Sequence, residues 1–111
     1  MKIAIIGSRS LKNVSLENYL PPDCTEIVSG GAKGIDTLAA AFARERGLLL
    51  TEFLPEYAHY RRGAPLLRNK MIVDYADAVI AFWDDSSKGT ASVNDYCTKN
   101  GKPCTVIRLT P

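Results

Sequence analysis

The sequence predicts one α/β domain in three layers: a parallel sheet of about five strands in the order 3-2-1-4-5, with helices on both faces. Three observations carry that expectation. Short, almost wholly apolar and β-branched runs recur, the clearest being Lys2 to Ile6 and Asp77 to Trp83, and such runs belong to strands buried on both faces. Between the runs lie segments with the i, i+3, i+4, i+7 apolar spacing of amphipathic helices. The 111 residues are the usual size of one domain, and strands that alternate with helices join by right-handed crossovers into a parallel sheet.

Lys2 to Ile6 is the first strand. After Gly7-Ser8-Arg9-Ser10 a short helix is expected over about Ser15 to Leu20, closed by Pro21-Pro22. Glu26 to Ser29 reads as the second strand. Ile35 to Arg46 sets Ile35, Leu38, Ala39, Phe42 and Ala43 on one stripe and stops at Gly47, the residue type that most readily closes a helix. Leu48 to Leu54 gives strand three, halted by Pro55, and the polar, aromatic stretch Glu56 to Gly63 reads as a loop. Pro65 suits the first turn of a helix in which Leu67, Met71 and Tyr75 recur every four residues. Asp77 to Trp83 is strand four. Residues 84 to 89 form a loop, and Val93, Tyr96 and Cys97 mark a last helix stopped by Gly101. Pro103 introduces strand five, Cys104 to Leu109. Five strands alternating with four helices make a minimal Rossmann-like domain.

Composition narrows the class of function. With 46% hydrophobic and 23% charged residues, and no apolar run near the roughly 20 residues of a membrane helix, a soluble protein without a membrane partner is expected. The apolar stretch at the N-terminus is too short for a signal peptide, which points to the cytoplasm. Cys24, Cys97 and Cys104 are odd in number and show no C-x-x-C spacing, so neither a disulfide framework nor a metal site is expected. A formal charge of +2 weighs against DNA as a partner, so any anion must be bound locally.

In open parallel sheets, ligands bind outside the carboxyl ends of the strands where the winding reverses. Three polar, glycine-bearing loops fall there: residues 7 to 10, 29 to 34 and 84 to 90. In SGGAKGID, residues 29 to 36, Gly30, Gly31 and Gly34 lie between strand and helix, where bare amides beside the positive end of a helix suit phosphate. Lys33 adds charge, and Asp36 complements the helix dipole. The spacing is neither G-x-G-x-x-G nor G-x-x-x-x-G-K-[ST], and glycines in tight turns also arise for conformational reasons alone. Arg9, after Gly7 and Ser8, offers a planar fork to phosphate or carboxylate, or is simply a solvated arginine. Gly89-Thr90 repeats the junction at the last helix, where plain capping is the competing account. Tyr57, His59, Tyr60, Arg61 and Arg62 form a basic, aromatic loop, followed by Arg68-Asn69. His59, the one histidine, has no evident acidic partner, and Trp83 suits either a base or the underside of the sheet edge.

Taken together, IIGSRS at 5 to 10, VSGGAKGID at 28 to 36, GAPLLRNKMI at 63 to 72, ADAVIAFWDD at 76 to 85 and KGT at 88 to 90 resemble the YspA-like (DUF2493) group of the SLOG superfamily, over nearly the whole chain. That superfamily includes the LOG phosphoribohydrolases and the Rossmann-like domain of the DNA-processing protein DprA (Smf). The resemblance implies a pocket for a nucleotide or nucleotide derivative built from Gly7, Ser8, Arg9, Ser29, Gly30, Gly31, Gly34, Asp36, Arg68, Asn69, Gly89 and Thr90. It also implies a homodimer. In LOG enzymes an arginine matching Arg68 and a glutamate in a P-G-G-x-G-T-x-x-E segment cleave the N-glycosidic bond of a nucleoside monophosphate. Here Arg68 and Gly89-Thr90 are kept, but Ser92 and Val93 stand where the glutamate is sought, and Asp84, Asp85 and Asp95 are the nearby acids. Without that carboxylate, nothing evident supports an oxocarbenium-like charge or activates water. The expectation is therefore a ligand sensor without a cofactor, with a phosphoribohydrolase as second reading and a DprA-like single-strand binder as third.

Overall fold

Alternate residues of β1 (Lys2–Gly7) serve two separate cores. Ile3 and Ile5 join Ile27, Ile35, Ala39, Ala43 and Phe82 on one face, whereas Ala4 and Ile6 join Val28, Ile72, Val73, Val79, Val93 and Cys97 on the other. This is the two-sided burial that a continuous apolar run requires. The computed structural model describes residues 1–11, 13–31, 34–56, 58 and 61–110.

β1 lies at the centre of a parallel five-stranded sheet, flanked by β2 (Glu26–Ser29) and β4 (Ala78–Trp83), with β3 (Leu49–Glu52) and β5 (Cys104–Arg108) at the edges. The order is β3-β2-β1-β4-β5, and Gly7 sits opposite Phe82 where β1 and β4 end. The first face is covered by α1 (Ile35–Arg46); the second carries α2 (Ala64–Tyr75) and α3 (Lys88–Asn100). Gly47 and Gly101 close α1 and α3 with φ of 65° and 66°, the left-handed closure a glycine allows. No helix among the described residues is long and apolar enough to cross a membrane. Cys97 is buried, and Cys24 and Cys104 are half-buried; all three are free thiols.

Four expectations need correction. The helix expected near Ser15 is only a 3-10 turn, Leu16–Asn18. Six residues before two prolines are too few to offset helix nucleation, and the turn persists because Leu16 is buried against α1. The stretch 56 to 63 is not wholly a loop, since Arg61–Gly63 forms a 3-10 turn leading into α2. Strand three is shorter than expected, although Phe53 still donates its N–H to Ser29 O at 2.9 Å. The Leu67-Met71-Tyr75 stripe of α2 is not the inward one: Ala64, Ile72 and Val73 are buried, whereas Met71 and Tyr75 are exposed. This helix has apolar residues on several sides, so periodicity alone left two faces in competition. The sheet selected Ile72 and Val73, which pack with Ala4, Ile6, Val28 and Val79.

Gly7 fixes how closely α1 approaches the sheet. A methyl group at this position would overlap the fully buried side chain of Ile35. Gly7→Ala is therefore expected to destabilise the protein by about 1–3 kcal/mol. In a double-mutant cycle by urea denaturation, Gly7→Ala combined with Ile35→Ala should cost clearly less than the sum of the single changes; strict additivity would refute the contact.

Candidate functional site

β1 and β4 are neighbours, yet the helix that follows β1 and β2 covers one face of the sheet while the helix that follows β4 covers the other. Their ends therefore diverge and leave a crevice. A cleft of about 400 Å3 opens there. The β1 loop contributes Gly7, Arg9 and Ser10; the β2 junction contributes Gly30 and, in the first turn of α1, Asp36. Pro65, Arg68, Asn69 and Ile72 enter from α2, and Asp84, Ser87, Gly89 and Thr90 from the β4 loop and the start of α3.

The glycine-rich junction is shaped largely by the protein's own groups. Arg68 donates from Nη1 to Gly30 O at 2.5 Å and to Phe53 O at 3.4 Å, and from Nε to Asn69 Oδ1 at 2.8 Å. Its guanidinium lies so close to Gly30 that any Cβ there would collide with it. Arg68 thus binds α2 to the ends of β2 and β3 as well as lining the cleft. Gly34 has φ 78° and passes close to the carbonyl oxygens of Arg9 and Leu11, so it too is glycine for reasons of backbone geometry and approach.

Asp84 joins the two central loops. Its Oδ2 accepts from Ser10 Oγ at 2.6 Å, and its Oδ1 accepts the N–H groups of Ser86 and Ser87 at 2.9 and 2.8 Å. In return, Ser8 Oγ accepts the Asp84 N–H at 3.1 Å. The Ser10 hydroxyl and then the two amides hold the Asp84 carboxyl well below the usual carboxylate range. Next in the chain, Ser87 caps α3: its Oγ accepts the Thr90 N–H at 3.4 Å. The amides of Lys88 and Gly89, in the first turn of that helix, have no intrahelical carbonyl within reach.

Of the residues expected at the site, Gly7, Arg9, Gly30, Asp36, Arg68, Asn69, Gly89 and Thr90 line this one cleft. Ser8 and Ser29 do not: both are buried, Ser8 Oγ holding Asp84 and Ser29 Oγ accepting the Gly31 N–H at 3.4 Å. Gly31 and Gly34 also lie outside the lining. Lys33, Tyr57, His59 and Tyr60 fall outside the described residues. Sequence reasoning missed Ser10 and Ser87 as lining residues and the role of Asp84 as a clasp. An aspartate followed by serines at the end of a buried strand was the available signal, since such side chains capture nearby backbone amides. Among the described residues two arginines and two aspartates line the cleft, so their formal charges cancel and a bound anion must depend on directed donors rather than on a strong field.

Comparison with models of protein families, with curated proteins and with solved structures gave no match. What fold and site define is a class: a doubly wound parallel α/β domain with a ligand-sized cleft at its switch point.

Asp84→Asn should loosen both central loops, with a pH signature. A carboxyl whose folded pKa lies below the unfolded value of about 3.9 stabilises fully above that pH and loses its contribution as pH falls toward the folded value. The stability difference between wild type and Asp84→Asn is thus expected to be constant from about pH 5 to about pH 8 and to narrow progressively below about pH 4. Urea titrations across this range check it, and a pH-independent difference would contradict the assignment.

Proposed function

We propose that the cleft binds a nucleotide or nucleotide-derived ligand and that the protein acts as a sensor of it. The observation that carries this reading is the meeting of groups from three strand-to-helix junctions in one cleft of about 400 Å3, a volume within the roughly 300–1,000 Å3 of small-molecule sites. Gly89 and Thr90 bring the start of α3 to the cleft, and Arg9 brings a guanidinium, both suited to phosphate. Ile6, Pro65 and Ile72 supply apolar surface for a sugar or base. The motif resemblance to SLOG proteins points to the same ligand class.

Hydrolysis of an N-glycosidic bond is the less favoured reading. Asp84 lines the cleft, but its oxygens are committed to Ser10, Ser86 and Ser87, and a carboxylate so stabilised is a weak base. Asp85 pairs with Arg108, and Asp95 lies away from the cleft lining. Arg68 has two donors turned to the protein's own oxygens. For the single-strand DNA reading, Arg61 and Arg62 are exposed but outside the cleft.

The reading includes a homodimer. Leu49, which opens edge strand β3, and Leu54, two residues beyond its end, are 68% and 64% exposed, and Leu66 and Met71 of α2 are 47% and 45% exposed. Light scattering should give twice the chain mass, with Leu49→Glu/Leu54→Glu returning a monomer; a monomeric wild type at all concentrations removes this part.

Calorimetry against NAD, ADP-ribose, mononucleotides and cyclic nucleotides is expected to find at least one ligand. Because the lining charges cancel, its affinity should change less than about threefold between 50 and 200 mM salt, unlike the steep loss seen where many phosphate contacts dominate. Incubation with AMP should release no base above the rate of Arg68→Ala. Silence from the whole panel at millimolar ligand rejects the reading, and Arg68-dependent base release replaces it with the hydrolase.

A further inference from the structure

We propose a second subsite, for a planar heteroaromatic ring, in the hollow between α3 and the ends of β4 and β5. It rests on the reading of the main cleft as a nucleotide site and extends that site across the first turn of α3. The hollow measures about 220 Å3 and is lined by Trp83, Thr90, Ala91, Asn94, Val106 and Arg108, with Asp95 beside them. That is smaller than sites that enclose a whole drug-sized ligand, so it accommodates one fragment. Thr90 also lines the 400 Å3 cleft, so the two spaces adjoin at the first turn of α3.

The side chains around the hollow are arranged for a flat guest. Trp83 lies opposite Arg108 in the β4–β5 ladder, so both side chains rise on the face that α3 covers. The Trp83 indole Nε1 donates to Ser87 O at 2.9 Å, which fixes the ring against the cap of α3. Its one donor is thereby used within the protein, and what the ring has left to offer a ligand is its π surface. The Arg108 guanidinium lies over the ring, 5.5 Å from its centroid, and so occupies the place an entering ring would take. It is tied to Asp85 at 3.0 Å, but the two side chains are 68% and 59% exposed, and an ion pair so exposed is weakly held. Arg108 is therefore free to move outward and stack as a second plane on an entering ring, as guanidinium groups do on aromatic systems. Asn94 supplies both a donor and an acceptor for polar atoms at the ring's edge.

The chain contains one tryptophan, and it lines this hollow, so its emission reports a ring that enters there. The full-length protein is titrated with inorganic pyrophosphate, ribose 5-phosphate, AMP, ADP-ribose and NAD, with heat and emission followed together. The expected result is that a ring-bearing ligand quenches emission, while pyrophosphate and ribose 5-phosphate leave it unchanged. Arg108→Ala and Asn94→Ala should weaken the quenching ligand by about fivefold or more, and Trp83→Leu by about tenfold or more, the scale of one aromatic stack. Pyrophosphate affinity should stay within about twofold in the two surface variants, because they lie outside the cleft lining. Ring-bearing ligands that bind with unchanged emission and with equal affinity in Arg108→Ala would overturn the subsite and leave the cleft reading standing. No heat with any of the five ligands would overturn both.

Discussion

β1 has no face to give to water: Ile3 and Ile5 are buried under α1, and Ala4 and Ile6 under the layer of α2 and α3. A strand in that position can satisfy its backbone only by pairing on both edges, and it does so with β2 and β4. The chain must then leave its end in the sheet plane, between helices that belong to opposite faces. The crevice at the ends of β1 and β4 is a consequence of this burial. The site is thus placed by the hydrophobic core before any polar residue acts.

Polar groups then determine the crevice's shape. Asp84 gathers Ser10, Ser86 and Ser87 while Ser8 holds the Asp84 amide, so the β1 and β4 loops behave as one piece. Arg68 does the same on the other side, drawing the ends of β2 and β3 to α2 through Gly30 O and Phe53 O. Several glycines that the sequence offers to a phosphate are thereby explained by the protein's own packing: Gly30 by Arg68, Gly7 by Ile35, Gly34 by the carbonyl groups of Arg9 and Leu11. What remains for a ligand is narrower: Arg9, the first turn of α3 and the apolar floor. A cleft whose described lining charges cancel favours selection by geometry over capture by charge.

Two spaces flank the first turn of α3, and their linings differ in chemistry. One presents the first turn of α3 and the Arg9 guanidinium, the other an indole with the Arg108 guanidinium over its ring. Ser87 links them physically, since its Oγ caps α3 and its carbonyl oxygen holds the Trp83 ring. The sequence reading placed capping at Gly89-Thr90, whereas the structure gives that role to Ser87, whose Oγ accepts the Thr90 N–H.

The sequence alone determined the sheet and its order, because apolar runs buried on both faces and separated by amphipathic helices permit little else. It also located eight of the residues that line the cleft, six because strand-to-helix junctions carry a local signature of glycine, capping hydroxyl and charge, and Arg68 and Asn69, inside α2, through the motif resemblance. It did not reveal which residues of α2 turn inward: Leu67, Met71 and Tyr75 have the more regular spacing, yet Ile72 and Val73 are the ones buried, and only contact with the sheet decides this. Nor did it show that Ser8 and Ser29 are buried, that Asp84 bridges to Ser10, or that Trp83 meets Arg108. Those pairings join residues distant in the chain and arise from strand register and helix placement. Local residue preference has no term for them, so the tertiary structure decided them.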